Sequence, residues 1–150
     1  MSEGIPSIWV LEDNDEDYQI LEMAFTRMDR PIRMTRFRRV RELIDQAEKL
    51  RPPTLFYCDL RLPGESGMQA ISFLTANPRL QDIPKLVFST SSNPVEIRNA
   101  YRAGANAFHV KRLSTAAMIQ LHQSALKYWL DEVSIVDECK SIVSTEQSNP

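Results

Sequence analysis

The sequence is poor in cysteine and glycine, and its charges nearly balance. The two cysteines, Cys58 and Cys139, stand in no pair of the kind that binds a metal or performs redox chemistry. We therefore expect two free thiols in a reducing cytoplasm. The formal net charge of -2 provides no general attraction to nucleic acid or to an anionic membrane.

Long apolar stretches are also missing. No apolar run approaches the length of a transmembrane helix. The first six residues lack a basic segment followed by an apolar one, so we expect no signal peptide. The first apolar run is followed by the acidic segment 12–15 and not by a glycine-rich turn, which argues against a dinucleotide-binding enzyme.

What the sequence does contain is a series of short apolar runs that end on charged residues. The run Leu55–Cys58 ends at Asp59, and the run Ile8–Leu11 ends at Glu12. Apolar residues on both sides of such a run are typical of a strand buried on both faces of a parallel sheet. Ligands of open α/β sheets bind just past the carboxyl ends of the strands, so Asp59 is a candidate site residue.

Apolar periodicity predicts five strands that alternate with five helices. This alternation is typical of a parallel sheet covered by helices on both faces. Proline and glycine predict a loop directly after Asp59. The predicted strands lie at residues 8–11, 32–37, 55–59, 85–89 and 107–111, and the predicted helices lie at residues 15–28, 40–50, 68–75, 94–104 and 115–133.

Four strand ends then carry polar or charged side chains to one edge of the sheet. These side chains are Glu12 and Asp13, Asp59, Ser89, and Lys111. Three carboxylates at adjacent strand ends repel one another and are costly without a cation. Oxygen ligands with room left for water suit Mg²⁺. A lysine and a hydroxyl group suit an anion that bridges to the metal. A phosphoryl group on Asp59 would interact with the metal, with the lysine and with the hydroxyl group.

This ordered set resembles the receiver domain of two-component response regulators, across about residues 7–130. The resemblance rests on the acidic pair, Asp59, Ser89, Lys111 and the turn 103–105. A narrower resemblance is to the single-domain regulators that serve bacterial and cyanobacterial phytochromes. It rests on the segments LEDN at 11–14, DLRLP at 59–63, NPRL at 77–80 with IP at 83–84, STS at 89–91 and YWL at 128–130.

The resemblance implies a flavodoxin-like (βα)5 fold, a doubly wound five-stranded parallel sheet with strand order 2-1-3-4-5. The receiver domain would span residues 1–137, and residues 138–150 would form a flexible polar tail. The chain would accept a phosphoryl group from a histidine kinase of the phytochrome type. It would signal by protein–protein contact or by onward phosphotransfer, and it would be no enzyme beyond Mg²⁺-dependent self-dephosphorylation.

The same resemblance implies the roles of the acceptor and of the metal ligands. Asp59 would attack the phosphoryl group of a phosphohistidine. Asp13 and Asp59 would ligate Mg²⁺ directly, with the backbone carbonyl of Arg61 as a third ligand. Glu12 would act mostly through a bound water, and Lys111 would pair with the phosphoryl oxygens.

The family pattern also implies a switch on the other side of the acceptor. Ser89 would shift to hydrogen-bond the new phosphoryl group, and Phe108 would report that shift through packing alone, since it lacks the hydroxyl of tyrosine. One departure is Arg112, where the family usually has a proline after a cis bond. A cis bond before any other residue costs roughly 3–4 kcal/mol, so either the site holds that strain or the Lys111–Arg112 bond is trans.

Two other functions use the same residues. An aspartate-nucleophile phosphatase needs a second aspartate two residues after the nucleophile, and position 61 is arginine, which argues against this enzyme. The other is a receiver fold that binds partners independently of phosphorylation. The retained acids and Lys111 argue against this binding module, and Arg112 is the one departure in its favour.

Several remaining polar features have structural interpretations. The acids at 15–17, Asp17 included, are interpreted as the solvated start of a helix that deepens the negative field around the metal. Seven arginines within residues 27–41 are interpreted as a solvated edge of the sheet and not as a nucleic-acid surface. His109 and His122 have no ligand partners in the sequence and are interpreted as structural.

The last predicted helix carries two apolar stripes, more than one face of a core is expected to hold. Met118 and Trp129 belong to one stripe, and Ile119 belongs to the other. The surplus predicts a partner surface formed with the fourth helix and the fifth strand. We expect a homodimer through Val95, Tyr101 and the last helix.

Overall fold

A computed structural model describes residues 4–136 of the chain. Its main sheet has five strands, and each strand begins and ends within one residue of its predicted position. The strands are β1 (Ser7–Leu11), β2 (Arg33–Phe37), β3 (Leu55–Asp59), β4 (Lys85–Ser89) and β5 (Ala107–Val110).

All neighbouring strands of this sheet are parallel, in the order β2-β1-β3-β4-β5. The predicted doubly wound fold and its strand order are therefore confirmed. The central strand β3 is buried from Leu55 to Cys58 because helices cover both of its faces. Parallel strands place their carboxyl ends at one edge, where Asp59 closes β3.

Five helices alternate with the strands, as predicted. They are α1 (Asp15–Thr26), α2 (Val40–Ala47), α3 (Met68–Ala76), α4 (Pro94–Ala103) and α5 (Thr115–Lys127), which continues into a π-helical turn, Tyr128–Glu132. Helices α2, α3 and α4 pack on the face of the sheet that carries Phe56 and Val87. Helices α1 and α5 pack on the opposite face, around Tyr57 and Leu86.

The start of α1 fixes where its acidic first turn lies. Asn14 is the N-cap, and its side chain accepts a hydrogen bond from the backbone N–H of Asp17 at 2.9 Å. The three acids of the first turn stand at the positive end of the helix dipole. Leu21 and Phe25 on the buried side of α1 face the core, so the rotation of the helix about its own axis is fixed.

The loop predicted after Asp59 contains a short antiparallel ladder between Arg61–Leu62 and Glu65–Ser66. Gly64 at its turn has a φ of 72°, a conformation that glycine adopts without steric cost. Leu62 is buried and belongs to the core on the α3 side of the sheet. The segment beside Asp59 therefore has a defined shape.

Helix α5 buries both of its apolar stripes. Met118 and Ile119 are buried, and Trp129 packs partly buried against the same core. The expectation that one face cannot hold both stripes was wrong, because α5 packs against α1 as well as against the sheet. Within its described length this helix leaves one large apolar side chain exposed, Tyr128.

The predicted end of the receiver domain at residue 137, the polar tail at 138–150 and Cys139 lie outside the described residues. Cys58 is a buried free thiol in β3, as predicted. Within residues 4–136 no helix combines the length and the apolar character needed to cross a membrane.

Candidate functional site

The carboxyl ends of β1, β3 and β5 bring Glu12, Asp59 and Lys111 together. The Nζ atom of Lys111 lies 2.9 Å from Oδ2 of Asp59 and 3.5 Å from Oε1 of Glu12. All three side chains are 11–13% exposed. Three of the predicted site residues therefore form one largely buried ionic cluster.

A further carboxylate in this cluster comes from the first turn of α1. Lys111 Nζ donates to Oδ2 of Asp17 at 3.0 Å. One oxygen from each of Glu12, Asp17 and Asp59 lies within 4.8 Å of the others. The interpretation of Asp17 as part of a solvated helix start was therefore wrong. Sequence reasoning missed this role, because the side of the first turn that faces the site depends on how α1 is rotated as it packs against the core.

Burial makes free carboxylates unfavourable at this site. It raises the pKa of Glu12 to about 7, with Asp59 adding to the rise and Lys111 opposing it. Burial by itself would lower the pKa of Lys111, but Glu12 and Asp59 outweigh it and raise that pKa well above its usual range. Burial is thus the main cause of the pKa shift at Glu12, and three carboxyl groups share Lys111 as their partner.

The donor atoms present fit a hard divalent cation such as Mg²⁺. They are oxygens of three carboxyl groups that lie within 4.8 Å of one another. Asp13, predicted as a direct ligand, is not one of the clustered carboxylates. It is partly buried, and its backbone carbonyl accepts a hydrogen bond from Arg36 at 3.2 Å. A ligand role for Asp13 stays a prediction.

Arg61 lies beside Asp59 at the start of the short ladder. Its backbone N–H donates to Oδ1 of Asp59 at 3.0 Å, so each oxygen of that carboxylate has a partner. Its guanidinium lies 3.8 Å from the carboxylate of Glu96 in α4. The predicted ligand role of the Arg61 carbonyl is not tested by these contacts and stays a prediction.

The backbone beneath Asp59 requires a glycine at position 67. The N–H of Gly67 donates to the Leu60 carbonyl at 2.9 Å. A Cβ atom on Gly67 would overlap the carbonyl oxygen of Asp59 and would lie 2.7 Å from the sulfur of Cys58. Sequence reasoning did not single out this residue, because such a close approach is visible only once the chain is folded.

Ser89 and Phe108 lie on the side of the site opposite the acids. Ser89 is fully buried, and its Oγ accepts a hydrogen bond from the N–H of Ser91 at 3.2 Å. Its carbonyl accepts from the N–H of Lys111 at 2.8 Å. The N–H of Phe108 donates to the hydroxyl of Tyr101 at 3.0 Å, which joins β5 to α4. The switching roles of Ser89 and Phe108 stay predictions.

The departure at Arg112 is accommodated by a trans bond. No peptide bond within residues 4–136 is cis. The N–H of Arg112 lies 3.0 Å from the sulfur of Met118, which joins the loop after β5 to α5. Lys111 reaches Asp59 in this arrangement, so of the two alternatives raised by Arg112 the trans loop is the one adopted.

A cavity of about 200 Å³ adjoins the ionic cluster and is lined by side chains of α1 and α5. Its lining includes Tyr57 and His122, whose hydroxyl oxygen and Nδ1 are buried without a hydrogen-bond partner among the described residues. Burial lowers the pKa of His122 to about 4 and also lowers the pKa of His109. Both rings are therefore neutral at pH 7, which agrees with a structural role.

Most of the arginines at the β2 edge are engaged within the protein. Arg36 and Arg38 both pair with Asp15, at 2.9 and 2.8 Å. Contacts to acidic groups or to backbone carbonyls are made by five of the seven: Arg30, Arg36, Arg38, Arg39 and Arg41. β2 is an edge strand, as predicted, but Arg36 is only 17% exposed, so the interpretation of the seven arginines as solvated was wrong for this residue.

Comparison with known proteins connects this geometry to a family. The family model of the response regulator receiver domain matches residues 8–123, more than half of the chain. The probable methanogenesis regulatory protein FilR2 of Methanothrix harundinacea is 27% identical over 128 residues, which cover 82% of this chain and 83% of that protein. Response regulator Rcp1 of Synechocystis is 28% identical over 83 residues, which cover 55% of this chain and 56% of Rcp1.

Solved structures give the same result for the fold. The phosphorylated cyanobacterial phytochrome response regulator RcpA superposes with a TM-score of 0.83 at 25% identity, covering 89% of this chain and 100% of RcpA. The Mn²⁺-bound form of Rcp1 superposes with a TM-score of 0.79 at 22% identity, covering 88% of this chain and 99% of Rcp1. The second likeness, at this level of identity, concerns the fold alone.

Proposed function

The chain belongs to the response regulator receiver domain family, and from that premise we propose that Asp59 accepts a phosphoryl group from a histidine kinase. Receiver domains of two-component systems are phosphoacceptors and not conventional enzymes. The observation that carries the proposal is the convergence of Lys111, Glu12 and Asp17 on Asp59, with 2.9 Å between Lys111 Nζ and Asp59 Oδ2. A lysine at this distance can also reach the oxygens of a group transferred to that carboxylate.

In the proposed transfer an oxygen of the Asp59 carboxylate attacks the phosphorus of a phosphohistidine. The phosphorus–nitrogen bond breaks, its electron pair stays on the imidazole, and an acyl phosphate remains on Asp59. Lys111 would pair with one phosphoryl oxygen, and Ser89 would donate its hydroxyl hydrogen to another after a shift. Hydrolysis of the acyl phosphate would be the one further reaction of the domain.

Mg²⁺ is the proposed cofactor, held by Glu12, Asp17 and Asp59. Asp13 and the backbone carbonyl of Arg61 are further candidates, on the family pattern. Bound there, Mg²⁺ would neutralise part of the charge shared by the acceptor and the phosphoryl group. The Mn²⁺ in the Rcp1 structure supports a divalent cation at this kind of site.

We assign the kinase to the phytochrome type. The support is the similarity to Rcp1 and to RcpA, which is a phytochrome response regulator. Transfer from such a kinase implies a cytoplasmic location. We further propose that the receiver domain, residues 1–137, passes the signal on by protein–protein contact or by onward phosphotransfer.

A homodimer is proposed through the surface formed by α4, β5 and the end of α5. Val95 is 59% exposed, Tyr101 47% and Val110 39%, and Tyr128 at the end of α5 is 56% exposed. Apolar side chains grouped in this way favour a partner surface. Light scattering at high concentration is expected to give the mass of a dimer. A monomer both with and without phosphorylation would contradict the proposal.

The acceptor is tested by incubating the protein with Mg²⁺ and acetyl phosphate and measuring the intact mass. The native sequence is expected to gain one phosphoryl group, and Asp59→Asn is expected to gain none. Asp29→Asn is the matched control, because Asp29 is an exposed aspartate outside the cluster. An adduct that persists in Asp59→Asn would refute Asp59 as acceptor. No adduct in the native sequence would favour the phosphorylation-independent binding module.

A further inference from the structure

The side chain of Arg36 reaches from the edge strand β2 across to the loop that follows β1. Its Nε donates to the carbonyl of Glu12 at 3.0 Å, and its Nη2 donates to the carbonyl of Asp13 at 3.2 Å. The same nitrogen lies 2.9 Å from Oδ1 of Asp15. Only 17% of the side chain is exposed, although β2 is an edge strand. The guanidinium thus contacts three residues of the acidic segment 12–15, namely Glu12, Asp13 and Asp15.

These contacts begin where the sheet ladder ends. The N–H of Glu12 donates to the carbonyl of Phe37 at 3.0 Å, and this is the last backbone bond between β1 and β2. The next two carbonyls, those of Glu12 and Asp13, accept hydrogen bonds from the side chain of Arg36 and not from the backbone of β2. The same loop holds the carboxylate of Glu12, because the N–H of Asn14 donates to its Oε2 at 3.2 Å.

The orientation of the guanidinium is itself fixed. Its central carbon lies 4.5 Å from the centroid of the Tyr18 ring, so the planar group is held against an aromatic side chain of α1. The two carbonyl oxygens and the carboxylate oxygen match the planar, forked set of N–H donors of a guanidinium group. The single ammonium group of a lysine cannot reproduce this set of contacts. Arg36 is therefore built into the loop and is not a general surface charge.

We infer that Arg36 is a positioning residue of the metal site, which holds the loop after β1 so that Glu12 is placed for Mg²⁺. The inference rests on the proposed function of the acidic cluster. The charge of Arg36 and its contacts with the loop are expected to affect Mg²⁺ binding in opposite directions. Arg36 is a cation, so its field alone weakens Mg²⁺ binding, and its removal would strengthen binding if the field were all that mattered. Loss of a positioning contact acts in the opposite direction.

The test is a calorimetric titration of the full chain with Mg²⁺. Arg36→Gln is expected to raise the Kd for Mg²⁺ about tenfold, the lower end of the range for residues that orient metal ligands. Arg38→Gln is the matched control, because it removes the same charge from the same strand end and the same partner, Asp15. Arg38 is 51% exposed and lies 3.4 Å from the Asp13 carbonyl, so its variant is expected to stay within twofold of the native Kd.

A second readout separates positioning from a loss of folding. At saturating Mg²⁺ the rate of phosphorylation of Arg36→Gln by acetyl phosphate is expected to return to within twofold of the native rate. A domain that is merely less folded would lose rate at every Mg²⁺ concentration. Arg36→Lys keeps the positive charge but loses the forked set of N–H donors, and it is expected to weaken Mg²⁺ binding as Arg36→Gln does. It keeps the test available if Arg36→Gln does not fold.

The outcomes distinguish the two proposals. A native Kd or a tighter one in both Arg36 variants would overturn the positioning role and leave the proposed function intact. Absence of Mg²⁺ binding and of phosphorylation in the native sequence would overturn the proposed function itself. Weaker binding in Arg36→Gln and Arg36→Lys, with Arg38→Gln unchanged, supports the inference.

Discussion

The two sides of Asp59 are held by different forces. On the acid side, which comprises Glu12 and Asp17, the contacts are ion pairs to Lys111 at 3.5 and 3.0 Å. The backbone of this side is held by the guanidinium of Arg36. Partly buried charges interact over several ångströms and respond to any ion that enters.

On the hydroxyl side, which comprises Ser89 and Phe88, the contacts are neutral hydrogen bonds and packed rings. The ring of Phe88 stacks on His109 with centroids 4.3 Å apart and on Tyr57 with centroids 4.9 Å apart. His122 approaches the same ring, with a centroid distance of 4.7 Å. Groups packed in this way change position only by exchanging one packed arrangement for another.

With two kinds of contact, one small site can combine two tasks. The carboxyl groups on the acid side already lie close together, so binding of the proposed cation needs little rearrangement. The hydroxyl side is held by neutral contacts, and it is the side that the family pattern makes responsive to phosphate. Variants that damage one side and spare the other therefore test the comparison directly.

The largest effect is expected from Gly67→Ala, because Gly67 supports the backbone of Asp59 beneath both sides. The new Cβ would overlap the Asp59 carbonyl, so the free energy of unfolding is expected to fall by about 3 kcal/mol. Gly64→Ala is the control: it has open space around it and a φ of 72°, and is expected to cost about 1 kcal/mol. Urea denaturation measures both. Equal losses would mean that the close approach at Gly67 is not what requires glycine.

A pH effect of similar or smaller size is expected from His122, which supports the hydroxyl side. Burial lowers its pKa from 6.5 to about 4 in the folded state, so the unfolded chain binds a proton first as the pH falls. The contribution of His122 to the free energy of unfolding is expected to decrease by on the order of 3 kcal/mol as the pH falls from 6.5 to 4.

The pH profile of His122→Gln isolates this contribution. Glu12, whose pKa is raised from 4.5 to about 7, changes stability in the opposite sense over an overlapping range, and it does so in both proteins. In urea denaturation at several pH values, His122→Gln is expected to lose less stability than the native sequence between pH 6.5 and 4, by on the order of 3 kcal/mol. Parallel profiles would contradict a neutral buried His122.

The smallest effect is expected from Ser89→Ala. It leaves the N–H of Ser91 without its acceptor, so the unfolding free energy is expected to fall by about 1 kcal/mol. The Kd for Mg²⁺ is expected to stay within twofold, in contrast to Arg36→Gln. Calorimetry and urea denaturation check the two values. A large loss of Mg²⁺ affinity in Ser89→Ala would show that the two sides are not independent.

The sequence predicted the fold because its signals are local and repeated. Four largely apolar strands and one arginine-rich edge strand, separated by helices, allow few arrangements, and the parallel order brings their carboxyl ends to one edge. The meeting of Glu12, Asp59 and Lys111 follows from that topology. Each of them closes or directly follows a strand, and its height along the sheet is therefore fixed.

The errors lie at residues whose position depends on rotation and not on order. Whether Asp17 faces solvent or the site depends on how α1 turns about its axis as it packs against the core. The burial of both stripes of α5 depends on α1 lying beside it. The spacing of residues along one helix does not determine how that helix is rotated about its axis or which helix packs beside it.

Periodicity and chain direction are local properties, so the sequence alone was enough to predict the sheet, its strand order and the residues at the strand ends. Three features are visible only in the folded chain: Asp17 joins the acidic cluster, Arg36 holds the loop after β1, and Gly67 lies against Asp59. Contacts between distant segments depend on side-chain direction and on distances of a few ångströms, which packing fixes after the order of the elements is set.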